Sequence, residues 1–128
     1  MKLALTVLKH PYAICMLKAG SALPSAFPKS EFYSVTNTTD ELSIVCRYES
    51  VSDDWTTVNR NWRIFKIKGP LQFTLVGIIA KISAILKEQD IPIFTTSTFL
   101  TDYIMVKEEN LEKAVKSLRA KGCSVTFQ

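Results

Sequence analysis

A chain of 128 residues, 47% hydrophobic and 22% charged, holds one packed domain or two small ones sharing a core. The net charge of +4 is modest, and its cations are scattered from Lys2 through Arg47, Arg63 and Lys87, so a nucleic-acid partner is not expected. Cys15, Cys46 and Cys123 are odd in number, far apart and without a C-x-x-C, which argues against a disulfide framework or zinc site; Cys15 and Cys46 sit in apolar runs and read as reduced core thiols of a cytoplasmic protein.

The opening MKLALTVL is too short an apolar run for a signal sequence, whose core needs about 7–15 residues. No run approaches the ~18 apolar residues of a membrane span, so no membrane partner is expected. Leu3 to Leu8 suits a buried strand, Lys9-His10-Pro11 a turn, and Tyr12 to Leu17 a second strand, which predicts a hairpin. Lys18 to Ser30 is rich in Gly, Ser and Pro and holds at most one helical turn. Phe32 to Thr36 and Glu41 to Tyr48 read as strands joined by a polar turn, and Glu49 to Asn61 reads as a connector. Trp62 to Lys68 alternates as a strand and ends at Gly69-Pro70. From Phe73 to Asp90 the period changes: Leu75, Ile78, Ile79, Ile82, Ile85 and Leu86 mark an amphipathic helix. Ile91 to Ser97 and Tyr103 to Val106 are strands flanking a polar turn. Leu111, Ala114, Val115 and Leu118 mark a second helix between an Asn110 cap and a Gly122 stop, and Ser124 to Phe127 closes as a strand.

From residue 62 onward the order is β-α-β-β-α-β, the ferredoxin-like arrangement of an antiparallel sheet with both helices on one face. The first part reads as a truncated copy. VTNTTDELSIV (35–45) set over TSTFLTDYIMV (96–106) matches at a constant offset of 61, placing Glu41 on Asp102, Thr36 on Ser97 and Val45 on Val106. The expected class is α+β, two ferredoxin-like units with antiparallel sheets, a truncated one over 1–56 and a complete one over 57–128.

A turn feeding a helix N-terminus offers unpaired N–H groups and partial positive charge to a carboxylate, and Asp102 beside it offers a carboxylate to an ammonium. That combination suits a small zwitterion. His10, in a turn beside Pro11, reads as a surface residue. No nucleophile–base pair is present, so no enzyme is expected, and nothing in the pattern requires a cofactor or metal.

Three stretches carry a resemblance to a known family: FYSVTNTTDELSIVC (32–46), GPLQFTLVG (69–77) and STFLTDY (97–103). Together they resemble the small bacterial proteins built from two ACT domains, the ACT domains of a eukaryotic cytosolic arginine sensor and, more distantly, the regulatory domains of aspartokinases. The resemblance covers roughly Leu3 to Val125. It implies amino-acid binding at an interface between two ACT units, with a regulatory rather than catalytic role. On matching positions it points to Gly69, Pro70, Phe73, Val76 and Gly77 on one side of the ligand. Ser97, Thr98, Phe99, Thr101 and Asp102 form the other, with Thr36 and Glu41 on the opposing turn. Two positions depart from the family pattern: Gln72, where an acidic residue is expected, weakens the case for a basic ligand, and Val51-Ser52 stands where a Val-Pro is expected. An exposed sheet edge or helix face could pair with a second copy, giving a homodimer. The alternative function is a protein–protein interaction module with no small ligand.

Overall fold

Leu3, Leu5 and Val7 alternate with more exposed neighbours, so strand β1 (Ala4–Val7) presents one apolar edge to a core. The partner of that edge is not β2 (Tyr12–Lys18). In the computed structural model, which describes residues 2–25, 27, 30–68 and 77–128, β1 pairs antiparallel with β5 (Thr57–Ile67) and parallel with β8 (Ser124–Phe127). The hairpin expected from the first two apolar runs therefore does not form, and the sheet is not purely antiparallel. Leu5 faces Ile67 on one side and Val125 on the other, so β1 buries its side chains between two strands distant in sequence.

The chain forms two compact units, one from Met1–Lys9 with Arg63–Gln128, the other from His10–Trp62. The boundaries expected at 1–56 and 57–128 thus differ from those observed, because the first nine residues group with the C-terminal ones. Among the described residues there are eight strands and two α-helices, and the fold is α+β with two ferredoxin-like units, the inserted one reduced.

In the terminal unit, β1 lies between β8 and the end of β5; β7 (Asp102–Lys107) adjoins β5, and β6 (Phe94–Ser97) pairs antiparallel with β7. Helices α1 (Ile78–Lys87) and α2 (Leu111–Ala120) cover one face. Ile78, Ile82, Ile85 and Leu86 of α1, with Ala114, Val115 and Leu118 of α2, meet Leu5, Val7, Phe65, Ile67, Ile104, Val106 and Val125 in one core. Residues 73–76, expected to open the first helix, lie outside the described residues. Both helices end in the same six-residue motif. Ile91 N–H donates to Leu86 O and Asp90 N–H to Lys87 O, as Cys123 N–H does to Leu118 O and Gly122 N–H to Arg119 O. The left-handed residue is Asp90 (φ 56°) in one and Gly122 (φ 91°) in the other. Arg63, which opens the second segment of this unit, donates from Nη2 to the carbonyls of Leu8 (3.0 Å) and Lys9 (3.5 Å) and pairs with Glu108 at 3.2 Å. Its guanidinium thus ties the two segments where the chain leaves and re-enters the unit.

In the inserted unit, β3 (Ser34–Asn37), β4 (Glu41–Arg47), β2 and the start of β5 pair antiparallel in that order. β5 starts at Thr57, inside the expected connector, because Thr57 and Val58 pair with Met16 and Cys15. The pairing slips by one residue between Tyr12 and Ile14, and Asn61 takes φ 67° at that bulge. No α-helix is present here among the described residues. Val51, Trp55 and Val58 instead pack against Ala13, Cys15, Phe27, Leu42, Ile44 and Cys46.

Candidate functional site

The residues singled out by sequence fall into three groups. Gly69, Pro70, Phe73 and Val76 lie outside the described residues. Gly77 is the N-cap of α1 at φ 82°, with nothing within 4 Å of a Cβ built there, so its requirement is backbone conformation rather than close packing. The rest belong to two hairpins, one in each unit.

In the terminal unit Ser97 faces Asp102 across the last rung of the β6–β7 ladder. The turn between them is closed by Thr98, whose N–H donates to Thr101 O at 2.9 Å and whose hydroxyl donates to the same carbonyl at 3.1 Å. Thr101 is the one buried polar side chain among the described residues, 4% exposed, and its hydroxyl donates to Ile67 O at 2.6 Å. This bond pins the turn to the end of β5, immediately before residues 69–76. The Thr101 hydroxyl proton is thus committed to that carbonyl. Asp102 is half-buried, and its carboxylate takes no hydrogen bond or ion pair from a described residue. Phe99 and Leu100 form the tip, 78% and 61% exposed.

In the inserted unit Thr38 closes the β3–β4 turn in the same way. Its N–H donates to Glu41 O at 2.9 Å and its hydroxyl to the same carbonyl at 3.2 Å, while Glu41 N–H donates to that hydroxyl at 3.1 Å. Thr36 is exposed and faces Ser43; Glu41 is half-buried and faces Lys18 across β2 and β4.

The repeat is real in the backbone, but its offset is 60, not 61. Thr38 corresponds to Thr98, the pair Asn37–Leu42 to Ser97–Asp102, and Ser34–Val45 to Phe94–Met105. Each hairpin ends in an extended residue, Arg47 (φ −57°, ψ 145°) or Lys107 (φ −63°, ψ 146°), before a single 3-10 turn, Tyr48–Ser50 or Glu108–Asn110. Glu41 is thus the counterpart of Thr101, and Leu42 that of Asp102. A slip of one residue moves every side chain to the opposite face of the strand, so the two carboxylates are not equivalent. The signal is present in the sequence: at offset 60, Thr36, Thr38, Ile44 and Glu49 meet Thr96, Thr98, Ile104 and Glu109, and Arg47 meets Lys107. The matching acids Glu41 and Asp102 favour the wrong register.

Among the described residues no cluster of three or more His, Cys, Asp or Glu side chains could hold a metal ion, and no helix is long and apolar enough to cross a membrane. One juxtaposition that sequence reasoning does not find is that of Cys15 and Cys46, diagonal neighbours on adjacent strands of the inserted unit. Only the β2–β4 register brings them together.

Comparison with known proteins agrees with this architecture. The ACT domain family model matches residues 57–120, and a second model, of a family's N-terminal domain, matches residues 10–54. A solved structure from Agrobacterium tumefaciens is 34% identical over 100% of this chain and 95% of its own, with a TM-score of 0.91. A Vibrio cholerae protein is 18% identical over 93% of this chain and 89% of its own, with a TM-score of 0.72. Aspartate kinase from Clostridium acetobutylicum is 18% identical over 92% of this chain and 34% of its own, with a TM-score of 0.67. The last two share the fold. The family match over 57–120 and the close relative, taken with the two-helix core of the terminal unit, place this chain in the ACT domain family.

Proposed function

We propose that this chain is a regulatory protein that binds a small amino acid, or an amino-acid-like ligand, at the seam between its two ACT units. The observation that carries this reading is the Asp102 carboxylate. It is half-buried and has no described partner, and it comes directly after a turn that Thr101 anchors to Ile67. A carboxylate held in place without a cation is ready for a charge-assisted bond from a ligand ammonium. Ser97 stands opposite it, with Thr98 and Phe99 in the adjoining turn. The ligand carboxylate would lie at the entry to α1, near residues 69–77, where helix N–H groups are unpaired. Gly69, Pro70, Phe73, Val76 and Gly77 belong to that side in this proposal, and Thr36 and Glu41 to the opposing turn. The family membership and the fold shared with an aspartate kinase support regulation over catalysis. The protein would act in a reducing cytoplasm, in keeping with three free thiols. It would act as a homodimer, for which β8, partnered on one side only among the described pairings, offers an edge.

The test is thermal unfolding against the twenty amino acids at millimolar concentration. A ligand of the native state adds about 2.7 kcal/mol at a hundredfold excess over Kd, a shift of several degrees. One amino acid is expected to respond, and Asp102→Ala to remove the response. A flat panel with a folded protein would reject the proposal.

A second reading has its own support. The Phe99–Leu100 tip is strongly exposed and apolar, whereas the equivalent Thr39–Asp40 tip is exposed and polar. An apolar tip suits docking to another protein with no small ligand involved. In that case Phe99→Ser weakens partner binding and Asp102→Ala does not.

A further inference from the structure

Leu5 and Ile67 lie opposite each other on β1 and β5, and both enter the core under the helices. Alternation therefore turns Thr6 and its partner Lys66 to the other face of the terminal unit's sheet. Lys68 follows Lys66 by two residues on that face, and its N–H donates to Ala4 O at 2.8 Å. The end of β5 thus lies beside the start of β1, and Lys2 stands just ahead of that start. All three lysines are exposed, and none pairs with a described residue. Strands β1, β5, β6, β7 and β8 carry one acid, Asp102, which alternates with the core residues Ile104 and Val106 and so belongs to the helix face. The strands of the open face present cations and no acid. The same end of the sheet bears an apolar tip. The bond from Thr101 to Ile67 O fixes the turn to the residue immediately before Lys68, and Phe99 and Leu100 of that turn are strongly exposed.

We propose that this corner of the terminal unit docks on an anionic lipid surface. Phe99 and Leu100 enter the boundary between headgroups and acyl chains, while Lys2, Lys66 and Lys68 meet acidic headgroups. A face with cations and no acids has a field of one sign, which a plane of negative charge complements. Two apolar side chains at a tip gain by leaving water, and the two signals together give reversible binding where one alone is weak. A lipid layer takes up a convex apolar tip directly, whereas a protein or a nucleic acid would have to supply a matching pocket. Surface docking needs no spanning segment, so the short apolar runs of the chain do not oppose it. It also needs no bound amino acid, and so does not rest on the ligand reading above.

The experiment sediments the full chain with vesicles of phosphatidylcholine alone, or of phosphatidylcholine with about one-third phosphatidylserine. The protein should pellet with the phosphatidylserine vesicles and stay in solution with phosphatidylcholine alone. It should be released at about 1 M salt, where the Debye length falls to about 3 Å. Lys66→Gln with Lys68→Gln should weaken partitioning about 25-fold, about fivefold for each lysine. Phe99→Ser with Leu100→Ser should weaken it about tenfold with every lysine in place. Lys113→Gln with Lys116→Gln removes the same charge from exposed positions of α2 and should change it less than about twofold. Unchanged urea midpoints show that the variants are folded, and the vesicle comparison itself uses wild-type protein. Equal pelleting with both vesicles, an equal loss from the α2 pair or no loss from the tip pair would each overturn the proposal. Failure to pellet with either vesicle would overturn it as well and leave the tip to docking on a protein.

Discussion

The hairpin of β3 and β4 and the hairpin of β6 and β7 are the same object up to the last residue of the 3-10 turn, and different objects after it. Both are closed by a threonine, both keep the same register, and both exit through one extended residue into three residues of 3-10 helix. Then Leu111 is helical (φ −59°, ψ −51°) and α2 begins, while its counterpart Val51 is extended (φ −69°, ψ 126°) and the chain turns away. The cause is in the next few side chains. LEKAVKSLRA repeats apolar residues at helical spacing, and those residues reach a core. VSDDWTT has no such stripe, and Ser52 takes Asp54 N–H on its hydroxyl and Trp55 N–H on its carbonyl, which fixes a turn instead. A local frame shared by two sequences does not decide the element that comes next; the availability of an apolar face does.

The largest expected effect tests that difference with proline. Glu112→Pro would press Leu111, helical at φ −59° and ψ −51°, out of the helical region, at a cost of up to about 3 kcal/mol. Ser52→Pro, at the equivalent position, comes after a residue already in the extended region that proline demands. It trades one hydroxyl bond to Asp54 for reduced freedom of the unfolded chain, and stability should stay within about 1 kcal/mol of wild type. Urea unfolding of both variants measures this, and equal losses would break the comparison.

The turns differ at their tips and at the residue that follows, Glu41 or Thr101, and the next effect reads the latter. Thr101→Val keeps shape but leaves the buried Ile67 carbonyl without its donor, which should cost about 1–3 kcal/mol. Glu41→Gln, at the counterpart position, changes a half-buried side chain at the start of β4 and should move stability by less than about 0.5 kcal/mol. Should the two variants prove alike in chemical denaturation, the correspondence of Glu41 with Thr101 would be of no structural consequence.

Legibility in the sequence depends on the range of the interactions. The helix at Leu111, Ala114, Val115 and Leu118 is legible because its stripe and its Gly122 stop are local, and so is the ferredoxin-like order after Trp62. The partner of β1 is not. Leu3, Leu5 and Val7 announce a buried strand, but they would fit any apolar neighbour, and the adjacent β2 is the nearest candidate in sequence. The sheet instead seats β1 between β5 and β8, nearly sixty residues or more away. At the candidate site, Asp102, expected in the turn, opens β7 opposite Ser97. Thr101 has the look of a ligand contact in the sequence but is held by Ile67, a bond to a backbone carbonyl that carries no mark in the sequence.

The smallest effect concerns the two helix ends, which share every hydrogen bond of their motif and differ in the residue at its left-handed position. Gly122 takes φ 91° with open space around a built Cβ, so a substituent there meets strain from the backbone alone. Gly122→Ala should lose about 1 kcal/mol, the left-handed penalty less what the unfolded glycine gave up. Asp90 already occupies this region, which aspartate tolerates better than most residues. Asp90→Gly should therefore gain only about 0.5 kcal/mol, since relief of strain is offset by a more flexible unfolded chain. The expected order of urea midpoints, from highest to lowest, is Asp90→Gly, wild type, Gly122→Ala. If Asp90→Gly fell below wild type, the Asp90 side chain would be contributing to the end of α1 beyond its backbone, and the two ends would be alike in hydrogen bonds only.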